Sequence, residues 1–287
     1  MPVQHLRFEP AAMIACLLLA VPGWPQSQPG GASAETQPAL DPTVDKILTR
    51  LESRQVNDLK ADVSWKLRYL LDLEEDAVTK RGRIWYQQQK PVAKFLVHFT
   101  QRVSSNRAHK LDERHLFDGR WYVELNSETK TLSRREIRRE GETANPYRLG
   151  EGPFPLPFGQ RKADILKEFE VLIVPPAADD PPETDHLKLL PREGSQTGGS
   201  YQSVEVWIAR TGPQHGLPVK VHTAKKDGTG KVNSFITISF ENVRLNEGFS
   251  SGVFEIEAPP GYDVEEERLE PIAPPETPPS KDRPGSP

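Results

Sequence analysis

The sequence has only one cysteine, Cys16, and it lies in the apolar run near the N-terminus. If this run is removed as part of an export signal, the mature chain is expected to have no thiol, and therefore no disulfide, no cysteine-liganded metal site and no cysteine nucleophile. The seven histidines are scattered through the chain and lack the spacing of a ligand set. The sequence therefore predicts no metal site.

The sequence also lacks a large excess of charge of one sign. It contains 37 Lys and Arg residues and 41 Asp and Glu residues, which give a formal net charge of −4. The basic run "SRREIRREGE" at 133–142 is interleaved with acids. Nucleic-acid binding needs a basic field with aromatic stacking partners, and neither is evident. The sequence shows no glycine-rich phosphate loop and no β-α-β rhythm, so it predicts neither a Rossmann or P-loop fold nor a cofactor.

Long hydrophobic runs are scarce. An apolar run of about eleven residues follows Arg7, which is too short to span a bilayer as a helix and is typical of an export signal. We expect a signal peptide at 1–23, although a second small-x-small site at 32–34 would move the cleavage to residue 34. The chain is predicted to be periplasmic or otherwise exported.

Proline is plentiful, and much of it lies near the two ends of the chain. The polar, proline-containing segment 24–42 predicts a disordered linker, and the proline-rich segment 269–287 predicts a disordered tail. The folded domain is predicted to span 43–268.

The predicted domain begins with a helix and continues with strands. In "DPTVDKILTRLESRQ", Asp41 can cap a helix that has Pro42 in its first turn and four apolar residues on one face: Val44, Ile47, Leu48 and Leu51. Apolar and polar residues then alternate in "SWKLRYLLD", "RGRIWYQQQ", "VAKFLVHFTQ", "RWYVELNS", "SVEVWIAR", "LPVKVHTAK", "NSFITISFENV" and "GVFEIEAP", which predicts antiparallel strands. The segment "QRKADILKEFE" predicts a second, short helix.

These elements predict an α+β fold that is mainly β. We expect an unclosed, strongly curved antiparallel β-barrel with an N-terminal helix and short lid helices. The apolar inner face of such a sheet must be covered by helices or occupied by a ligand.

The stretch "RHLFDGRWYVE" combines a turn with candidate acid–base residues. Asp118-Gly119 predicts the turn, and alternation then directs Trp121 towards the sheet interior and Tyr122 away from it. Glu113 and His115 share a strand face, so the carboxylate could orient the imidazole for acid–base catalysis. A solvated strand face explains the same pair more simply. Because no nucleophile elbow accompanies the pair, the sequence does not predict an enzyme.

Three motifs occur in a characteristic order: "KRGRIWYQQQKP", "HLFDGRWYVELNSETKTL" and "FENVRLNEGFSSGVFEIEAPPGYDVEEER". The last closes on Phe254, Pro259 or Pro260, Gly261 and Val264. In this order they resemble the outer-membrane lipoprotein carrier (LolA/LolB-like) superfamily, over about 43–268. The loop "GPFPLPFGQRKADIL" further resembles an uncharacterised branch of it from planctomycete-type bacteria.

The resemblance implies an unclosed barrel whose apolar cavity holds acyl chains beneath a helical lid. The aromatic residues that we expect to line this cavity are Trp65, Tyr69, Phe95, Phe99, Trp121 and Trp207. The alternative for each is simple packing against the two helices.

The resemblance also implies lid or latch residues, here Lys90 and Phe158. Carriers of this family have an arginine before the proline that links two strands, whereas this chain has Lys90 before Pro91. Lysine cannot reproduce the bidentate contact of a guanidinium, so this sequence departs from the family at its latch.

Two functions follow from the sequence. The first is a monomeric, non-catalytic binding protein of the cell envelope that carries or senses the acyl chain of a lipid or lipoprotein. The alternative is a structural or interaction module of the envelope, in which the barrel is filled by its own side chains and the proline-rich tail binds an envelope protein.

Overall fold

The computed structural model describes most of the predicted domain. The described residues are 40–54, 56–73, 76–89, 93–139, 161–250 and 252–270. The predicted signal peptide, most of the predicted linker and the chain from 271 onwards lie outside them. Lys90 and Phe158, the predicted lid or latch residues, also lie outside the described residues.

Within these residues the chain forms two α-helices and twelve β-strands. The helices are α1 (Pro42–Ser53) and α2 (Lys162–Glu168), and a short 3-10 helix spans Gln196–Gly199. The strands are β1 (Asp58–Tyr69), β2 (Val78–Gln87), β3 (Lys94–Ser104), β4 (Arg107–Phe117), β5 (Trp121–Asn126), β6 (Thr131–Glu136), β7 (Phe169–Val174), β8 (Thr184–Pro191), β9 (Tyr201–Ala209), β10 (Pro218–Lys226), β11 (Val232–Leu245) and β12 (Asp263–Glu267).

Helix α1 forms where the sequence predicts it. The side chain of Asp41 accepts a hydrogen bond of 2.6 Å from the backbone N–H of Thr43, and Pro42 occupies the first turn, where its missing N–H is not needed. The predicted apolar stripe is buried along its whole length: Val44, Ile47, Leu48 and Leu51. Helix α1 therefore contributes one complete face to the core.

The twelve strands form one sheet in the order β12-β6-β5-β4-β3-β2-β1-β11-β10-β9-β8-β7. Strand β1 lies inside the sheet because it pairs with β2 on one side and with β11 on the other. Strands β7 and β12 form the two edges and do not pair with each other, so the sheet remains open. The prediction of a mainly β, unclosed barrel with an N-terminal helix is confirmed.

The C-terminal end of the sheet departs from the prediction. Strand β12 pairs with β6 in parallel, whereas only antiparallel strands were expected. The segment "GVFEIEAP" at 252–259 forms turns and irregular structure in place of a strand. Its apolar residues Val253, Phe254 and Ile256 pack onto one face of the sheet, and this packing replaces pairing with a neighbouring strand.

Three strand pairs near the middle of the sheet, β1–β11, β2–β3 and β3–β4, carry register shifts. They lie between Lys60 and Asp62, between Arg81 and Gly82, and between Phe99 and Gln101. Such bulges bend a strand and increase its twist, which gives this part of the sheet its curvature.

Gly82 lies at one of these shifts, where two backbones approach closely. A Cβ atom added to Gly82 would lie 1.9 Å from the carbonyl oxygen of His98 and 2.7 Å from the Cα of Phe99. Only a residue without a side chain fits there, because both neighbouring atoms belong to the backbone.

The main core lies on one face of the sheet, which we call the inner face. Residues paired across strands share a face, and this face carries Phe95 and Phe99 with apolar residues from both halves of the sheet. Helix α1 packs against it through its buried stripe, and Ile165 of α2 joins the same cluster.

A second, smaller core lies on the opposite, outer face of β3–β6. Its buried members are Leu96, Leu116, Val123, Leu125 and Leu132. The segment 253–262 covers them, and Trp85 and Trp121 pack against the same cluster. Both faces of this part of the sheet are therefore buried.

The side chains of β5 point in the directions opposite to those that the sequence predicts. Tyr122 pairs with Phe117, and Phe117 pairs with Phe95, so Tyr122 lies on the inner face. Trp121 lies on the outer face with Val123. The Asp118-Gly119 turn itself is confirmed, with a φ of +107° at Gly119.

Candidate functional site on the inner face

The inner face brings together three of the six aromatic residues that the sequence predicts to line a cavity. Phe95 is 2 % exposed and Phe99 is 1 % exposed, and Trp65 is a partly buried member of the same cluster. These three belong to β1 and β3, which flank β2 in the sheet.

The other three predicted cavity residues lie elsewhere. Tyr69 ends β1 and is 48 % exposed. Trp121 packs into the outer cluster. Trp207 follows Val206, an inner-face residue, and therefore points to the outer side.

The surroundings of Trp207 show why it is buried outside the main core. Its ring stacks on His186 with centroids 4.1 Å apart, and the Nζ of Lys220 lies 4.2 Å from the ring centroid. Its indole N–H donates a hydrogen bond of 2.6 Å to the carboxylate of Asp180. A loop and charged side chains thus cover this tryptophan on the outer face.

A charged network lies beside the inner aromatic residues. The Nζ of Lys80 donates to both carboxylate oxygens of Glu113, at 2.7 and 2.6 Å. The same carboxylate lies 2.7 Å from Nε2 of His115, whose Nδ1 lies 2.8 Å from the hydroxyl of Tyr122. Four side chains from β2, β4 and β5 are joined in this way.

The network is buried to an unusual degree for charged groups. The side chains of Glu113 and His115 are 5 % and 8 % exposed, and that of Lys80 is 23 % exposed. Burial on its own would raise the pKa of Glu113, but the hydrogen bond with His115 and the charge of Lys80 outweigh it and lower that pKa from 4.5 to about 2. Glu113 therefore stays ionised within the interior at neutral pH.

The sequence predicted that Glu113 and His115 share a face, and the structure places them in contact. It did not predict that Lys80 and Tyr122 join them. Lys80 lies two residues before Gly82 and four before Ile84, which are both on the inner face. Since every second residue of a strand points to the same face, this spacing could have placed Lys80 on the inner face.

The chemistry of this network favours orientation and charge stabilisation. The Glu113 carboxylate and the Tyr122 phenol contact the two ring nitrogens of His115, and such a pair of contacts holds an imidazole in one orientation. A buried ion pair adds little to stability compared with apolar side chains of the same size, so the network is a candidate for a functional role.

Next to the network, the inner face is only partly covered. Leu67 pairs with Ile236, and both are partly buried, as is Trp65 on the same strand. The Nζ of Lys80 lies 5.3 Å from the ring centroid of Trp65 and 5.9 Å from that of Phe99. Apolar surface and one cation thus meet at the accessible edge of the main core.

Helix α1 closes another part of the inner face. Lys162 of α2 donates to the Asp45 carboxylate at 2.5 Å, and Arg50 pairs with Asp185 of β8. Together with the four buried apolar residues, these contacts fix α1 as part of the core.

An open cleft of about 760 Å³ lies over the bulged region, and its character differs from that of the inner face. Its side chains are mostly polar or charged, and the lining residues include Asp62, Arg81, Arg83, Trp85, His98 and Gln101. The cleft is therefore not suited to an acyl chain.

Two kinds of feature are absent from the described part of the chain. Its His, Cys, Asp and Glu residues form no group of three or more that could hold a metal ion. None of its helices has the length and apolar character needed to cross a bilayer.

Several solved structures are similar to this chain. An uncharacterised conserved protein from Thermus thermophilus aligns with a TM-score of 0.43 and 12% identity, covering 78% of this chain and 99% of that one. A DUF1329 family protein from Desulfovibrio piger aligns with a TM-score of 0.39 and 14% identity, covering 75% and 98%. A LolA superfamily protein from Nitrosomonas europaea aligns with a TM-score of 0.36 and 12% identity, covering 74% and 97%.

The structures similar to this chain thus include a LolA superfamily protein. No protein-family model and no curated protein matches the chain.

Proposed function

We propose that this protein is an exported, non-catalytic binding protein that carries or senses the acyl chain of a lipid or lipoprotein in the cell envelope. The observation that supports this most directly is the accessible edge of the main core, where Trp65, Leu67 and Ile236 remain partly exposed on an open sheet. The acyl chain binds along this edge, and Phe99 forms the floor beside Trp65.

Burial of an acyl chain at such an edge would supply a substantial part of the binding free energy. Burial of one methylene group contributes about 0.8 kcal/mol. A chain that buries roughly six methylenes against Trp65, Leu67 and Ile236 would gain about 5 kcal/mol before the entropic cost of binding.

Lys80 marks the polar limit of the proposed site. Its ammonium group lies between the aromatic rings and the Glu113 carboxylate. A polar head group would be placed near Lys80, while the acyl chain follows the apolar side chains.

The proposed site differs in part from the one that the sequence predicts. Phe95 and Phe99 are almost fully buried, so a ligand reaches them only at the margin. We therefore assign direct contact to Trp65 and its strand neighbours.

The same burial favours a second candidate function. If the inner face is filled by the protein's own side chains, as the exposure of Phe95 and Phe99 suggests, the chain acts as an interaction module of the envelope. A ligand-binding experiment separates the two.

Native mass spectrometry of the exported chain, purified without detergent, tests the proposal. We expect adducts of lipid mass, or adducts that form after addition of fatty acids, phospholipids or a lipopeptide. Trp65→Ala should reduce them strongly, because this substitution removes the largest partly exposed apolar side chain of the edge.

Trp121→Ala is the matched control, since it removes the same side chain from the outer face. It should leave the adducts unchanged, provided that circular dichroism shows both variants to be folded. A clean protein mass with every lipid added, or equal loss in both variants, would contradict acyl binding at the inner edge.

A further inference from the structure

The turn between β1 and β2 exposes a group of large apolar side chains. Leu71 is 95 % exposed and Leu73 is 63 % exposed, while Leu70 and Tyr69 are each about half exposed, at 49 % and 48 %. We call residues 69–73 the leucine turn. Single exposed leucines are common on protein surfaces, but a contiguous group of this kind marks an interaction site.

Hydrogen bonds hold the leucine turn in one conformation. The N–H of Leu70 donates to the carbonyl of Asn233 at 2.8 Å, which ties the turn to β11. The N–H of Asp72 donates to the carbonyl of Tyr69 at 3.1 Å, and the N–H of Tyr69 donates to the Asp72 carboxylate at 3.3 Å. The leucines are therefore presented by an ordered turn, and little conformational entropy is lost when they are buried.

Acidic residues predominate in the leucine turn and just after it, while Arg68, which precedes the turn, donates at 3.5 Å to the carbonyl oxygen of Asp72. Between Tyr69 and Lys80 the sequence contains Asp72, Glu74, Glu75 and Asp76, and it contains no Lys or Arg. Segments that enter a membrane interface carry Lys or Arg beside their apolar residues, because bacterial and cytoplasmic surfaces are anionic. Four acids in this position oppose insertion into such a surface.

We propose that the leucine turn docks into a protein partner that offers an apolar pocket rimmed by Lys or Arg residues. The pocket buries Leu71 as the central side chain, with Leu73 and Leu70 at its margin. The basic rim pairs with Asp72 and Asp76, which increases the association rate and selects against neutral or acidic pockets.

Tyr69 shares a strand face with Trp65, but the central residue of this surface, Leu71, lies outside the proposed acyl site. Leu71 lies in the turn that follows β1, while the acyl site is built from side chains within the sheet. Leu71→Asn should leave lipid adducts unchanged, so failure of one proposal does not affect the other.

Photocrosslinking in the cells that naturally produce the protein tests the proposal. Leu71 is replaced by a photoreactive benzoyl-phenylalanine in the full chain, and the crosslinked peptides are sequenced by mass spectrometry. We expect one protein adduct whose crosslinked segment combines apolar residues with Lys or Arg. The same reporter at Leu172 of β7, which is 41 % exposed, is the matched control and should not give that adduct.

The purified partner then provides a quantitative test. Leu71→Asn should weaken its binding by about tenfold to a hundredfold, since the burial of one leucine is lost. Asp76→Asn and higher ionic strength should also weaken it, because part of the attraction is electrostatic. The exposure of Leu71 allows both variants to fold, which circular dichroism checks.

Several results would overturn the proposal. They are crosslinks to lipid alone, crosslinks to other segments of this chain, a partner segment without basic residues, or no Leu71-specific adduct. Binding to phosphatidylethanolamine–phosphatidylglycerol vesicles that is lost in Leu71→Asn would also overturn it, because it would identify a membrane as the target.

Discussion

Lys80 and Glu113 form a two-pronged ion pair on the inner face, with the lysine Nζ 2.7 and 2.6 Å from the two carboxylate oxygens. The pair links β2 to β4, two strands that are not neighbours, because β3 lies between them. It therefore spans the curved face above Phe99, and its loss would affect the sheet as well as the local charge.

Removal of one member of this pair should destabilise the fold. Glu113→Ala leaves Lys80 and His115 without their shared carboxylate, and we expect a loss of about 3 kcal/mol in the free energy of unfolding, measured by urea denaturation. The exposed pair Arg102–Glu128 offers a control, because Glu128→Ala should cost less than about 1 kcal/mol. The double variant Lys80→Met/Glu113→Leu should recover much of the loss, whereas a larger loss in the double variant would show that the pair itself does not determine the effect.

The free energy of unfolding should depend on pH in a way that reports the ionisation of Glu113. Its pKa is about 2 in the folded chain against 4.5 for an ordinary glutamate. The contribution of its charge is thus fully present above pH 4.5 and is lost as the pH falls towards 2. The difference in unfolding free energy between wild type and Glu113→Gln should shrink by about 3 kcal/mol over this interval.

Urea titrations of both proteins at a series of pH values measure this difference. The other carboxylates titrate in both proteins, so their contributions to the unfolding free energy cancel in the difference. A difference that stays constant across the interval would show that the folded-state pKa of Glu113 is not lowered.

Gly82→Ala should prevent normal folding or cost several kcal/mol. The added Cβ would meet the backbone carbonyl of His98 at 1.9 Å, so β2 and β3 must separate to accommodate it. Gly228→Ala is the matched control, because its added Cβ meets no atom within 4 Å. Thermal unfolding followed by circular dichroism should show a large decrease in Tm for the first variant only, and similar Tm values for both would contradict this packing.

Helix α1 should behave as core and not as a lid that opens freely. Leu48 is 1 % exposed, and Leu48→Ala should lower the unfolding free energy by about 3 kcal/mol. Lys46→Ala on the exposed side of the same helix should change it by less than about 0.5 kcal/mol. A small effect of Leu48→Ala would instead indicate that α1 leaves the sheet easily, which would uncover the inner face beneath it.

Helix α1 and most strands were predictable because their patterns are local. The stripe from Val44 to Leu51 follows the helical period, and β1 and β3 alternate with a period of two. The cap at Asp41 and the turn at Gly119 follow from residue type at a single position. Such features depend on neighbours in the sequence, so the sequence alone is enough to place them.

The face of the sheet to which each β5 side chain points was not predictable in the same way. Trp121, Val123 and Leu125 form the more apolar stripe, and a rule based on alternation directs that stripe to the main core. The stripe is buried on the outer face because Phe254 and Ile256, more than a hundred residues later in the sequence, cover it. No local pattern contains that contact.

The candidate site was predictable only in part for a related reason. The pairing of Glu113 with His115 follows from their spacing on one strand, but Lys80 reaches them across an intervening strand. A lysine in a strand is ordinarily assigned to the solvent face. Its position in the interior depends on how β2, β3 and β4 are aligned. Bulges set this alignment, and no local sequence pattern predicts them.

The position of β1 inside the sheet has a consequence for the order in which the domain folds. Strand β1 is the first strand of the chain, but one of its two partners is β11, and nine strands come between them. During folding β1–β6 can assemble early, and the free edge of β1 stays unpaired until β11 joins it. Because contacts between such distant segments form slowly, completion of the sheet is a late event in folding. A chain truncated before β11 would keep that edge exposed, and we expect it to aggregate.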